Sequence, residues 1–277
     1  MDRRRAMKVA AGIFAGGGAG LVTLSSAFKP EKPPVEDSYK LEYDQSETTW
    51  KYVPLDPDVT ARLAYDYYSE GSCMYATVKS VVAQLAGIIG EPYVSFPYHL
   101  FKYGHGGVGG YGSVCGTLNG AAALIGLLIA DKSVQDRVIT DIFQWYEKAP
   151  FPAFHPADPV MDFTPPQSVS NSILCHAANT IWSNESGYAV SSKERKEKCR
   201  RLTADVARKV TLALNEIHAN IYIANAYDDQ NVNSCVSCHG DEGKVKNTSV
   251  EMSCNSCHTE SLGHRVFADV HYKMMKE

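Results

Sequence analysis

Near its C-terminus the chain repeats one five-residue pattern, and no other stretch limits its folding so tightly. Cys235-Val236-Ser237-Cys238-His239 is followed by fourteen residues and then by Cys254-Asn255-Ser256-Cys257-His258. The spacing C-x-x-C-H is that of covalent c-type haem attachment. Two thiols one turn apart can add across the two vinyl groups of a single porphyrin, and the next residue can bring its imidazole under the iron. Cys235, Cys238, Cys254 and Cys257 are therefore candidate tethers, and His239 and His258 candidate proximal iron ligands. A tail with two such groups must fold around its cofactors, so residues 229–277 are expected to form a small, irregular di-haem segment.

The same four cysteines also fit C-x2-C-x15-C-x2-C, the spacing of a structural zinc site. A histidine directly after each second cysteine is superfluous for a four-thiolate zinc site, and this favours haem. A zinc-binding or disulfide-stapled exported module stands as the alternative class, and it would be colourless.

At the other end, Arg3-Arg4-Arg5-Ala6-Met7-Lys8 precedes nineteen uncharged residues, Val9 to Ala27, rich in glycine and alanine. A basic head, an apolar run and small residues at Ser25 and Ala27 read as a signal peptide over 1–27, with an uncleaved anchor as the alternative. The arginine pair resembles a twin-arginine signal, which exports folded proteins to the periplasm. Beyond residue 27 the chain holds 23 Lys+Arg against 30 Asp+Glu, a net charge of −7. That balance argues against nucleic acid as a partner, and membrane contact is expected only through the signal.

Residues 28–58, with Pro30, Pro33, Pro34, Pro54 and Pro57, are expected to form an extended arm lying on a surface. The stretch 59–228 reads as a helical domain. Apolar residues recur at helical spacing over 60–69 and 72–86, with Gly87 and Gly90 closing the second helix. The glycine run 104–112 contains the letters G-x-G-x-x-G, but no strand pattern precedes it and no acidic residue follows at the dinucleotide distance. A loop that lets backbone approach a cofactor near Cys115 explains it better. Helices are then expected to Ile129, over 133–148, over 169–182 and from a capping box at Ser191 and Glu194 to about His218. Six prolines between Pro150 and Pro166 leave a long loop. The fold class is thus mainly α, a helical bundle followed by the di-haem segment.

Four further cysteines, Cys73, Cys115, Cys175 and Cys199, each stand beside or inside an expected helix. Two disulfides, four buried thiols and a four-thiolate iron–sulfur centre all fit their spacing. Their context is more specific than their spacing. Gly71-Ser72-Cys73, then Val114-Cys115-Gly116-Thr117-Leu118-Asn119-Gly120, Leu174-Cys175-His176 and Lys198-Cys199-Arg200-Arg201-Leu202, followed by two C-x-x-C-H motifs, resemble the split-Soret cytochromes c. These are di-haem members of a wider group with a C…GCAxxG…C…C arrangement, from which Cys115-Gly116-Thr117 departs in residue order. The resemblance covers about residue 59 to the end. It implies a periplasmic homodimer with two stacked bis-histidine haems per chain, axial ligands exchanged between subunits, and a [2Fe-2S] centre on Cys73, Cys115, Cys175 and Cys199.

The sixth iron ligands have to come from His99, His105, His155, His176, His218, His264 or His271, or from Met252, Met274 or Met275. His264 is the first choice because it stays near the haem segment, and His176 the second because it adjoins Cys175. Bis-histidine ligation leaves no open position at the metal, so the function expected is electron transfer with an unknown redox partner protein. The rival expectation is a multihaem reductase of a small oxidant, which needs an open iron.

Overall fold

The computed structural model describes residues 39–42, 44, 50–225, 230–249 and 251–254. The signal-like segment, Cys257, His258, His264, His271, Met274 and Met275 lie outside these residues. In chain order the elements are β1 (Tyr39–Lys40), α1 (Pro57–Ile89), a 3-10 helix (Tyr98–Tyr103), α2 (Gly116–Leu128), α3 (Lys132–Lys148), β2 (Pro150–Phe151), β3 (Ser168–Val169), α4 (Cys175–Ser186), α5 (Lys193–His218), β4 (Ile223–Ala224) and α6 (Gln230–His239). The architecture is mainly helical, as the apolar periodicity predicts.

Local chemistry sets the helix starts. The Asp56 side chain accepts the Asp58 and Val59 amides, and Pro57 follows it at the first helical position, where its missing N–H is no loss. Asp131 caps α3 in the same way, accepting from Ser133 N at 2.8 Å and Val134 N at 3.1 Å. Along α3, Val134, Val138, Ile142 and Tyr146 then fall on one buried face.

Helix α1 packs on α5 and α2, and α2 packs in turn on α3 and α5. The core lies between them, built from Val78, Val81, Val82 and Leu85 of α1, Leu118, Leu124, Ile125 and Leu128 of α2, and Val206 and Val210 of α5. Each such side chain contributes about 1.5–3 kcal/mol on full burial. Gly120 sets the approach of α2 to α1. A Cβ there would stand 2.9 Å from Thr77 Cβ and 3.0 Å from the Met74 carbonyl oxygen, so only glycine allows this spacing.

The described part of the arm lies on the chain's own body. Tyr52 and Leu55 are buried, and the Asn215 side chain accepts from Tyr52 Oη at 2.8 Å while donating to the Leu55 carbonyl at 2.8 Å. Strand β1 pairs antiparallel with β4, Tyr39 opposite Ala224, and β2 pairs with β3 to close the base of the proline-rich loop.

Three expectations are corrected. Gly87 lies inside α1, which continues to Ile89 and ends on Gly90. The helix expected from Val169 begins only at Cys175, because 168–169 pair with β2 and Leu174 bridges to Val114. The cap of α5 is Ser192, whose hydroxyl accepts from Arg195 N at 3.1 Å, so the cap falls one residue after Ser191 and the expected box with Glu194 is not made.

Candidate functional site

Four helices deliver one thiol each to a single small pocket. Cys73, Cys115, Cys175 and Cys199 are all buried free thiols, 5–7% exposed, and they line it with Thr117, Tyr146, Asn179, Lys198 and Leu202. Three of the four thiols stand at helix beginnings. Cys115 is the N-cap of α2, and Cys175 is the first residue of α4. Cys73 directly follows Ser72, whose φ of 66° and ψ of −163° break α1 into two runs, so it opens the second run. The positive ends of three helix dipoles thus lie at the same pocket, an arrangement that favours anionic sulfur.

The glycine loop supplies part of the wall. Gly106 N–H reaches the Cys73 thiol. A Cβ on Gly116 would collide with the Gly104 carbonyl and come 3.3 Å from Cys73 Cβ, so the residue after Cys115 has to be glycine. Cys115 and Cys175 are held side by side by a short bridge. Cys115 N donates to the Ile173 carbonyl and Cys175 N to the Ser113 carbonyl, both at 2.8 Å.

Electrostatics divides the thiols. The neighbouring Cys175 thiol holds Cys115 well below the usual thiol range, helped by the Tyr146 hydroxyl, the Thr117 amide and the charge of Lys198. Tyr146 exerts this effect from a geometry too loose for a formed hydrogen bond, and its oxygen is buried without a partner. Cys175 is pushed up by the same contact with Cys115 and then by burial, so the two thiols titrate as a pair. Burial pushes Cys73 up. Lys198 is 2% exposed, its Nζ 3.4 Å from the Ala178 carbonyl. Asn179 ties two thiols together, donating to Cys175 Sγ at 3.2 Å and accepting from Cys199 Sγ at 3.4 Å.

The donor set suits a thiolate-bound iron centre: four sulfurs, a buried cation and helix N-termini to balance negative charge. The space between the sulfurs is about 10 Å³, room for about one water. Among the described residues no three of these or other ligand side chains converge on a single ion. A two-iron centre divides its four thiolates between two metals, two to each, and its irons and sulfides would need the sulfurs to stand farther apart than they do here.

The first C-x-x-C-H motif is helical. On α6 the thiols of Cys235 and Cys238 are three residues apart on one face, the former half-buried and the latter exposed, and His239 ends the helix. The chain then folds back on that histidine. Val245 N donates to the Cys238 carbonyl at 2.9 Å, and Asn247 N and Thr248 N donate to the His239 carbonyl at 2.9 and 3.1 Å. Asn247 Oδ1 lies 2.9 Å from His239 Nδ1, a contact that fixes the ring when Nδ1 carries the proton and directs Nε2 toward a metal. Of the second motif, Cys254 is described and half-buried.

The histidines proposed as sixth ligands are spread widely. His99, His105, His155 and His176 are exposed, and His218 is half-buried with its ring 6.0 Å from that of Tyr52. His176 is the second residue of α4, packed beneath Gly112 of the glycine loop and thus beside the thiol pocket. Sequence reasoning gave no role to Lys198, Tyr146, Asn179 or Tyr68. Tyr68 has its hydroxyl against Cys73 and is pushed up by burial. Only the Lys198-Cys199 adjacency could have singled out one of them.

Residues 75–212 match the family described as "Putative redox-active protein (C_GCAxxG_C_C)". The split-Soret cytochrome c of Desulfovibrio desulfuricans (strain ATCC 27774 / DSM 6949 / MB) is 34% identical over 217 residues, 76% of this chain and 77% of that protein. A solved structure reported as "A novel iron centre in the split-Soret cytochrome c from Desulfovibrio desulfuricans ATCC 27774" has a TM-score of 0.70 and 33% identity, covering 76% of this chain and 90% of that one.

Proposed function

The chain belongs to the split-Soret cytochrome c family, and on that premise we propose that it is a di-haem electron-transfer protein with an iron centre on its four buried thiols. The observation that carries the reading is the convergence of Cys73, Cys115, Cys175 and Cys199 on one pocket in a chain with two C-x-x-C-H motifs. The relative is named a cytochrome c, and its structure is reported to hold a novel iron centre.

Haem iron with two axial imidazoles supplies reversible one-electron transfer and leaves no position for a substrate. Cys235 and Cys238 are the tethers of one haem and His239 its proximal ligand, oriented by Asn247. Cys254, Cys257 and His258 take the same roles for the other. His264 and His176 remain the candidates for distal ligation, exchanged between subunits of a homodimer. At the pocket, Cys115 is the thiol whose ionisation its neighbours favour, and Lys198 and the helix N-termini offset the charge of a [2Fe-2S] centre. Burial keeps water from that centre. The basic, apolar N-terminus supports export to the periplasm by the twin-arginine route, which carries folded proteins.

The test is an absorption spectrum of the purified protein, oxidised and then reduced with dithionite, followed by carbon monoxide. Two covalent haems per chain, a Soret band that splits on reduction and indifference to carbon monoxide are expected, with non-haem iron and labile sulfide in equal amounts. A carbon monoxide shift overturns the closed-iron reading in favour of a reductase, and a colourless protein overturns the haem assignment. Sedimentation reads the dimer.

A further inference from the structure

Nine residues at the start of α5, Lys193 to Arg201, hold six basic side chains against two acidic ones, in a chain whose net charge beyond residue 27 is −7. Cations at a helix N-terminus oppose its dipole, so helix formation does not explain them. Two are taken up inside the protein: Arg201 pairs with Glu197 at 2.8 Å, and Lys198 lies buried beside the thiols. Lys193 and Lys196 stay exposed, and Arg195 and Arg200 are half-buried. Among the described residues neither of the exposed lysines has an ion-pair partner.

These four side chains lie together just outside the thiol pocket. Lys193, Lys196 and Arg200 recur at helical spacing along one stripe of α5. Arg200 sits over the rings of Tyr65 and Tyr68 of α1, 5.4 and 5.5 Å from their centres. Arg195 stands near Cys199, its Nη1 4.0 Å from the sulfur, and its Nε donates to the Val190 carbonyl at 2.6 Å. Val190 is 44% exposed, an apolar residue beside the charges. Glu194 is the acidic side chain of the same turn, while on α1 Asp66 is exposed and Glu70 is paired with Lys79. Four cations outnumber these, and the stripe is positive on an acidic chain.

We propose that the stripe of Lys193, Lys196 and Arg200 docks a small acidic redox protein on the face of the bundle nearest the thiols. Carboxylates of the partner meet the lysines at the rim, where charge sets the orientation and speed of encounter, and Val190 adds apolar contact. The charges extend along two turns of helix, about 10 Å, a span that suits a facing protein better than one small anion. Because the remainder of the chain is acidic, a partner rich in carboxylates is repelled elsewhere and drawn here. A second copy fits poorly, since a two-fold contact through this stripe brings like charges together. That the partner is a redox protein rests on the electron-transfer reading; the positive patch does not.

The experiment measures binding of a purified acidic ferredoxin to the full-length matured protein by biolayer interferometry over a range of salt. Wild type is expected to bind it and to release it as salt rises. The double change Lys193→Glu and Lys196→Glu is expected to weaken binding about tenfold, whereas Lys148→Glu, at an exposed lysine ending α3, leaves it unchanged. Acidic residues suit a helix start, so the double variant should melt no lower than wild type; if it does, Lys193→Gln with Lys196→Gln replaces it. Ferredoxin binding that is absent, or that the double change leaves intact, overturns the proposal. So does binding of phosphatidylglycerol vesicles through these lysines in place of the protein, or a fall in sedimenting mass of the variant, which assigns the stripe to a second copy. Haem staining and iron analysis of the same protein test the parent reading separately: a chain that holds both cofactors yet does not bind defeats the docking site alone.

Discussion

On α6 the two thiols of a site stand three residues apart on one helix face, whereas the buried pocket draws its thiols from α1, α2, α4 and α5, across 126 residues of chain. The first arrangement needs only a helical turn, and its chemistry is completed by covalent bonds. The second exists only while the bundle is folded, since no two of its cysteines are local to one another. A site written in local spacing survives unfolding once its bonds are made, and a site assembled by packing is lost with the packing. The two also differ in charge control: His239 is oriented by one nearby loop residue, while the thiols depend on a cation and three helix starts brought from afar.

The most decisive way to break this contrast is the double change Cys254→Ala and Cys257→Ala. Covalent haem per chain is expected to fall by half, read by pyridine haemochrome absorbance, with the pocket iron retained; loss of both cofactors together would show that the regions are not independent. Next in size is Cys115→Ser. It keeps a side chain able to cap α2 but removes the sulfur ligand, so non-haem iron should drop to background while both haems stay attached, as metal analysis and haem staining report. Equal iron in variant and wild type would remove Cys115 from the centre.

A smaller effect is expected from Lys198→Met. Taking the buried cation away disfavours the charged form of Cys115, so the thiol needs more alkaline solution to ionise. In metal-free protein the pH midpoint of its alkylation should rise, and an unmoved midpoint would separate Lys198 from the pocket's electrostatics. The smallest concerns the break in α1. Ser72 holds a backbone conformation that only glycine adopts freely, so Ser72→Gly should relieve strain worth about 1 kcal/mol and raise the melting temperature by a few degrees, with both centres intact. A lowered melting temperature would mean that the serine side chain is needed at the break.

The same contrast governs what could be read from the sequence. Val134, Val138 and Ile142 announce α3, and two C-x-x-C-H pentapeptides announce their chemistry, because both are patterns within a few residues. Gly87 misled because a glycine near a helix end is read as a stop, although α1 continues through it to Gly90. The start of α4 was misplaced because the segment before Cys175 is claimed by two distant partners, Phe151 and Val114, which no local pattern reveals. Lys198 illustrates the limit best. A lysine in a helix of low hydropathy is ordinarily a surface residue, and only the packing of α5 against the other helices places it 2% exposed beside four sulfurs.

The pairing of β1 with β4 sets an order of assembly. Tyr39 finds its partner Ala224 only after 185 further residues have been made, so this small ladder is among the last contacts to form on a chain emerging from the ribosome. The thiol pocket needs nothing beyond Cys199 and the rest of α5, and so can close before the ladder does. Closing the ladder then holds Tyr39 and Lys40 beside Ile223 and Ala224, eleven residues before the first C-x-x-C-H motif. Synthesis itself thus separates the two chemistries in time, the pocket first and the tail last, and a chain stopped after Ala224 should retain iron in its pocket while lacking every haem tether.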